Sequence, residues 1–218
     1  MDKHFKAIDS LFLNKYPQGI DDKQFYSDNK RLLVSKKIIK LVNEFNLEDL
    51  KINDRTMQQK NINFIIRIVS MTSAVSVFEK VALKNYLSDK RTWDEFLSSL
   101  YNFITNNNEE NFNYFVHILS LKKLEKNSNP AKWPVITFLL RIFNADTEIF
   151  IKPTTIKKML YLIESDVKYV STPNYQTYIE IKKIILDYKK QSKVVKDANN
   201  IIVQGIIQAV VKGAYTLW

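Results

Sequence analysis

The sequence predicts an all-α protein, a single compact domain over residues 1–218 with nine or ten helices and at most one short strand pair. Apolar residues recur at three- and four-residue spacing through most of the chain, which is the periodicity of amphipathic helices. Hydrophobic residues make up 45% of the 218 positions, enough for one sizeable core. Only three glycines and five prolines interrupt the pattern, and no internal repeat is found. The loop 127–130 (Asn-Ser-Asn-Pro) is the best candidate for a subdomain hinge.

The N-terminal half is expected to contain five helices. The first is ended by Tyr16-Pro17-Gln18-Gly19, because proline and glycine together stop a helix. Thr92, followed three residues later by Glu95, predicts a capping box at the start of the fifth. The expected spans are 3–15, Asp21 or Asp22 to Phe45, 55–69, 73–88, and a helix from Thr92 through Ile104.

The C-terminal half continues in helices. The segment 133–143 is hydrophobic on nearly all sides, so it should be buried. Glu148–Lys152 is the one candidate strand, and Pro153 stands where a proline at the first helical position belongs. The remaining helices are expected from Phe112 to about Lys126, from Pro153 to about Ser165, from Thr172-Pro173 to about Gln191, and over 197–213.

The residue inventory excludes several kinds of chemistry. The absence of cysteine excludes disulfide scaffolds, thiolate zinc sites and cysteine nucleophiles. The two histidines, His4 and His117, lie far apart, and we expect the first at the surface and the second in or near the core. Three glycines leave little room for a phosphate loop. We therefore expect no catalytic residue, no metal and no cofactor.

The N-terminal residues and the apolar stretches indicate the cellular compartment of the protein. Residues 1–10 are polar and amphipathic, without the apolar core of a secretion signal. The stretch 62–81 is interrupted by Asn63, Arg67, Ser70 and Glu79, which is not the pattern of a membrane span. We expect a cytoplasmic protein with no membrane partner.

The positive charge is concentrated in one part of the chain. The formal net charge is +10, and the window 152–196 holds ten lysines against four acidic residues. Tyrosines are interleaved with these lysines, and lysines neutralise phosphates while aromatic rings stack on unpaired bases. The alternative is that the lysines only solvate helix faces while the tyrosine rings pack inward. The candidate nucleic-acid-binding residues are Lys152, Lys157, Lys158, Lys182, Lys183, Lys189, Lys190 and Lys193.

One short pattern has the shape of a catalytic site. Asp166, followed by Glu180 and Lys182, resembles the signature of metal-dependent nucleases, in which carboxylates hold a divalent cation. That chemistry needs Glu180 and Lys182 to point the same way, as they would on a strand. The surrounding spacing is helical, however, and in a helix the two side chains diverge. A divalent-metal nuclease is kept as the second alternative function.

The last helix is unusually apolar and β-branched between Ile201 and Val211. Such a helix either lies in the core or forms an interface, and Trp218 could extend it onto a partner. Together with Trp133, Trp218 is a candidate partner-binding residue. A protein–protein adaptor or inhibitor, or a homo-oligomer, is the first alternative function.

Five short elements, taken in order, resemble a set of uncharacterised bacterial proteins of unassigned function. The resemblance carries no activity, and Ile202 departs from it, since an Asp is expected there. It implies a single domain through residue 211 and a shared structural neighbourhood for Lys132, Trp133, Lys152 and Pro153. The elements are Tyr16–Asp22, Lys132–Thr137, Ile149–Thr154, Pro173–Tyr178 and Val203-Gln204.

The leading hypothesis from the sequence is a non-enzymatic, basic, helical accessory protein. It would act on nucleic acid or within a nucleoprotein complex, in bacterial defence or mobile-element biology. The basic window in a chain that has so few catalytic residue types supports this hypothesis.

Overall fold

A computed structural model describes residues 2–121 and 129–213, and these form an all-helical fold without a strand. Eleven α-helices are found in the described residues, one or two more than expected. They are α1 (Lys3–Lys15), α2 (Lys23–Asp28), α3 (Lys30–Asn43), α4 (Arg55–Met71), α5 (Val77–Leu87), α6 (Trp93–Thr105), α7 (Glu109–Leu121), α8 (Trp133–Phe143), α9 (Pro153–Leu162), α10 (Tyr175–Gln191) and α11 (Asn200–Gly213). None of them has both the length and the apolar character that a membrane crossing requires.

The first helix ends where the sequence predicted. Asp2 caps its N-terminus, since the carboxylate accepts a hydrogen bond from the His4 backbone N–H at 2.7 Å. After Tyr16 the chain turns at Gly19, whose φ of 65° favours a residue without a Cβ.

The second expected helix is broken at Asn29 into α2 and α3. Asn29 has φ −122° and ψ 52°, outside the helical region. Its side-chain amide donates to the Phe25 carbonyl at 2.8 Å, and its backbone N–H donates to the same oxygen. Asparagine side chains often compete with the helical backbone in this way, which explains the extra helix.

The capping box expected at Thr92 is not formed. The short 3₁₀ turn Lys90–Thr92 continues directly into α6, so Thr92 already has a helical backbone. Its hydroxyl donates to the Asp89 carbonyl at 2.8 Å instead. A capping box does stand at the start of α5, where Ser76 and Glu79 bond each other's backbone N–H groups.

Two apolar helices form the centre of the fold. The helix α8 packs against α3, α4, α5 and α6, and all its residues from Trp133 to Ile142 are buried, as its composition predicted. The helix α11 packs against α1, α3, α9 and α10. A Cβ added to Gly205 would lie 2.9 Å from the Leu32 side chain, so the glycine permits the close approach of α11 to α3.

The segment 148–152 is extended but pairs with no strand, so the expectation of a strand there is wrong. Side chains from neighbouring helices satisfy its backbone. The Ile149 N–H donates to the Tyr178 hydroxyl at 3.1 Å, and the Ile151 N–H donates to Thr137 Oγ1 at 2.9 Å. Because buried backbone groups need partners, these side chains replace a β ladder and hold the segment in the core.

Two expectations fall partly or wholly outside the described residues. The helix expected to reach about Lys126 is described only to Leu121, and residues 127 and 128 of the hinge candidate 127–130 lie outside the described residues. The helix opening at Pro153 is confirmed, with the proline in its first turn.

Candidate anion-binding pocket

The extended segment 148–152 is anchored to α11 by one side chain. Gln204 accepts a hydrogen bond from the Phe150 N–H at 2.8 Å through Oε1 and donates to the Phe150 carbonyl at 2.6 Å through Nε2. Asn200, one turn earlier on α11, donates to the Glu148 carbonyl at 3.2 Å. The segment therefore keeps a fixed position beside α11, and a pocket opens next to Phe150.

The charged groups that line this pocket are cations. They are Arg31 from α3, Arg141 from α8 and Lys152 at the end of the extended segment. No aspartate or glutamate is found among the described residues that line it. We call these three residues the cation cluster.

Arg141 is the most enclosed member of the cation cluster. It is 5% exposed, and its Nε is buried without a hydrogen-bond partner. Its guanidinium carbon lies 5.0 Å from the centre of the Phe150 ring, a cation–π contact. In the described part of the chain it forms no ion pair. Burial lowers the pKa of Arg141 to about 10, so the group remains charged at neutral pH.

Arg31 is held in place by α11. The side-chain oxygen of Gln208, in the amide orientation that satisfies both groups, accepts hydrogen bonds from both terminal nitrogens of Arg31, at 2.9 and 3.2 Å. A neutral amide orients the guanidinium but leaves its charge uncompensated. The hydroxyl-bearing residues Ser35 and Thr155 line the same pocket and add polar groups to it.

The surroundings of Lys152 disfavour its charged form. Burial lowers its pKa, and the nearby positive charges of Arg31 and Lys212 lower it further, whereas Glu79 acts in the opposite direction. Glu79 is already engaged by the backbone of Ser76 through the capping box. The balance around Lys152 therefore favours the approach of an anion.

The size of the pocket restricts what can enter. Its accessible volume is about 50 Å³. On this measure a single water needs about 10–15 Å³, so the pocket has the space of a few waters. One phosphate or carboxylate group fits this space, and a nucleotide base does not.

Only one of the eight candidate lysines, Lys152, belongs to the cation cluster. Lys182 faces inward: its Nζ lies 2.8 Å from Glu148 Oε1, and both side chains are largely buried. Glu148 also accepts a hydrogen bond from the Tyr178 hydroxyl at 2.6 Å. Lys182 thus neutralises a buried carboxylate of this chain. Lys189 also faces α11, where its Nζ lies 3.5 Å from Asn200 Oδ1.

The remaining candidate lysines lie nearer the surface. Lys157 of α9 is exposed and stands over the Tyr169 ring at 5.0 Å, while its neighbour Lys158 is half-buried. Lys183 and Lys190 are exposed and seven residues apart on α10, hence on one face of it, and the exposed Lys193 follows the helix. The structure therefore divides the lysine-rich window into internal and external groups.

The two tryptophans proposed for partner binding are not on a described surface. Trp133 is 1% exposed, and its indole N–H donates to the Val170 carbonyl at 2.8 Å. It is therefore a core residue. Trp218 lies outside the described residues. A small group of exposed apolar side chains lies in the first turns of α5, where Phe78 is 87% exposed between Val77 and Val81.

The residues of the nuclease pattern do not adopt the arrangement that metal-dependent cleavage requires. Glu180 and Lys182 lie within α10, so the required strand is absent and the two side chains diverge. Glu180 accepts a hydrogen bond from Gln176 at 2.6 Å, and Lys182 is committed to Glu148. Asp166 and Glu180 line one shallow hollow, but the described residues contain no cluster of three metal-ligating side chains.

Sequence reasoning missed Arg31 and Arg141, which make up most of the cation cluster. A signal for Arg141 was present, because it is the one charged residue in a segment expected to be buried on all sides. A charge there needs a partner or a ligand. No comparable signal marks Arg31, whose role depends on where α11 places Gln208.

Comparison with known proteins adds no further assignment: no family model, no curated protein and no solved structure matches this chain.

Proposed function

We propose that this chain is a non-enzymatic nucleic-acid-binding protein, an accessory component of a nucleoprotein complex, and that its pocket holds one phosphate of the nucleic acid. The observation that carries the proposal is Arg141, a buried cation without a counter-charge among the described residues, in a pocket that Arg31 and Lys152 share. A buried charge costs several kcal/mol unless an opposite charge accompanies it. An anion bound in the pocket would remove that cost.

The external lysines support the choice of a polyanion over a small anion. Lys183, Lys190 and Lys193 are exposed and add positive charge outside the pocket. Lysines of this kind make phosphate contacts that do not depend on sequence and that weaken with salt. The pocket would fix one phosphate, while these lysines would neutralise others along the strand.

The experiment is a filter-binding titration of single-stranded and duplex DNA and RNA over a series of salt concentrations. We expect binding at low salt that weakens as salt rises. Arg141→Met should lower the affinity about tenfold and reduce the salt slope by about one. Lys60→Met, which removes an exposed lysine of α4 outside the pocket, is the matched control and should stay within about twofold. Absence of binding at low salt, or an equal loss in both variants, would refute the proposal.

A second candidate function, the protein–protein adaptor, is favoured by the exposed apolar side chains on α5. Isolated exposed apolar residues are ordinary, but Val77, Phe78 and Val81 adjoin one another. A protein partner bound there would be lost with Phe78→Ser and retained with Arg141→Met, as measured by pull-down and by mass in solution. The opposite pattern would exclude this surface.

A further inference from the structure

The charge of the cation cluster exceeds what an internal phosphate can neutralise. Arg31, Arg141 and Lys152 together bring three positive charges to one pocket, and no carboxylate lines it in the described part of the chain. An internal phosphodiester carries one negative charge. A phosphomonoester carries about −1.5 to −2 at neutral pH, because its second pKa is about 6. The cluster therefore matches a phosphomonoester better.

The number of free oxygens leads to the same choice. A phosphodiester has two non-bridging oxygens, whereas a phosphomonoester presents three, one for each member of the cation cluster. Guanidinium groups bind such oxygens in pairs of parallel hydrogen bonds. Arg141 Nε is buried and has no hydrogen-bond partner among the described residues, so it is a donor that a bound phosphate oxygen can use.

The shape of the pocket separates strand ends from strand interiors. Its wall is built from α3, α8, α9, α10 and α11 together with the extended segment, and its volume is about 50 Å³. An internal phosphate enters with two sugar substituents, which must both leave through the opening. A terminal phosphate has a single substituent, so it can reach Arg141, which is 5% exposed.

We infer that the pocket recognises the terminal phosphomonoester of a nucleic acid strand and discriminates against internal phosphodiesters. The inference rests on the proposed nucleic-acid binding and specifies which phosphate the cation cluster holds. The pocket would then direct the protein to phosphorylated strand ends.

The test measures fluorescence anisotropy with one short single-stranded oligonucleotide prepared in three forms: 5′-phosphorylated, 3′-phosphorylated, and with hydroxyls at both ends. We expect at least one phosphorylated form to bind about tenfold tighter than the hydroxyl form, a difference of about 1.4 kcal/mol. The phosphorylated form that binds more tightly shows whether the pocket recognises the 5′ or the 3′ end of the strand. Inorganic phosphate should compete with that form and leave the residual binding of the hydroxyl form in place.

The preference should disappear in Arg141→Met and in Lys152→Met but persist in Lys60→Met, the control outside the pocket. The use of two pocket variants keeps the test valid if one of them folds poorly. Equal binding of all three forms would overturn this inference and leave the proposed function standing. Failure of every form to bind at low salt would overturn the proposed function itself.

Discussion

Gln204 forms hydrogen bonds with both backbone polar groups of Phe150, at 2.8 Å from the Phe150 N–H and 2.6 Å to its carbonyl oxygen. The two residues lie 54 positions apart, so this pair fixes the last helix against the extended segment. Both residues also line the pocket. The same contact therefore stabilises the fold and shapes the site.

Gln204→Leu should destabilise the protein by about 2 to 4 kcal/mol. The substitution keeps the approximate volume but leaves a backbone donor and a backbone acceptor of Phe150 without partners. Urea unfolding followed by circular dichroism measures the loss. Gln59→Leu, at a glutamine whose hydrogen bond to Asn63 is exposed, is the control and should change stability by less than about 0.5 kcal/mol. Equal effects in the two variants would contradict the role assigned to Gln204.

Arg141→Met should make the protein more stable in the absence of ligand. Methionine fills much of the same space, and the substitution removes a buried charge that no carboxylate in the described structure balances. We expect a gain of about 1 to 3 kcal/mol in the free energy of unfolding. Phosphate should raise the melting temperature of the unsubstituted protein more than that of the variant, because it stabilises any folded protein by surface exclusion but binds the site only where Arg141 is present. A loss of stability in the variant would show that Arg141 has a structural partner.

Lys182→Met should cost about 3 kcal/mol of stability, because it leaves Glu148 largely buried without its cation. The double variant Lys182→Met with Glu148→Gln should recover part of that loss. Lys183→Met, at the exposed neighbour on the same helix, should be nearly neutral for stability. We also expect Lys182→Met to lower nucleic-acid affinity no more than Lys60→Met does. A larger loss of affinity would show that Lys182 contributes to nucleic-acid binding.

Asp9→Ala should destabilise the contact between α1 and the end of α10. The Asp9 carboxylate accepts hydrogen bonds from the Tyr188 hydroxyl at 2.8 Å and from the Ser192 hydroxyl at 2.8 and 3.0 Å, and all three residues are buried. The substitution leaves the Tyr188 and Ser192 hydroxyls without their acceptor. We therefore expect the free energy of unfolding, measured by thermal or chemical denaturation, to fall by about 2 to 4 kcal/mol. Asp146→Ala, at an exposed aspartate, should change stability by less than about 0.5 kcal/mol.

Stability should fall as the pH rises above about 10. Burial raises the pKa of Tyr86 from 10.0 to about 12, and burial also raises the pKa values of Tyr178 and Tyr188. These hydroxyls stay protonated in the folded protein at a pH where they ionise in the unfolded chain. The folded state then binds more protons, so their contribution is complete below pH 10 and is lost as the pH rises through the folded pKa.

The contribution of Tyr86 can be measured on its own. In Tyr86→Phe the loss of stability between pH 10 and 12 should be smaller by about 1 to 2 kcal/mol, since one raised pKa is removed. Tyr161→Phe, at a tyrosine that is 77% exposed, should keep the original pH dependence. Superimposable pH profiles for the protein and Tyr86→Phe would contradict this assignment.

Much of the fold could be predicted because helices are coded locally. The spans of α1, α4, α8 and α10 followed from apolar periodicity, and the burial of α8 followed from its composition. Errors occurred where a side chain bonded to a backbone group against the local pattern, as at Asn29. The supposed strand 148–152 is the clearest case, because its backbone partners come from distant helices.

The amino-acid sequence is enough to predict an all-helical chain with a basic C-terminal window and without the residues for thiol, disulfide or histidine-rich metal chemistry. Which charges face one another depends on the packing of the helices. This packing turns Lys182 inward to Glu148, leaves Lys183 at the surface, and brings Arg31 and Arg141 from separate helices to Lys152. The physical reason is that helix formation depends on neighbours within a few residues, whereas a binding site depends on the packing of helices that lie far apart in the sequence.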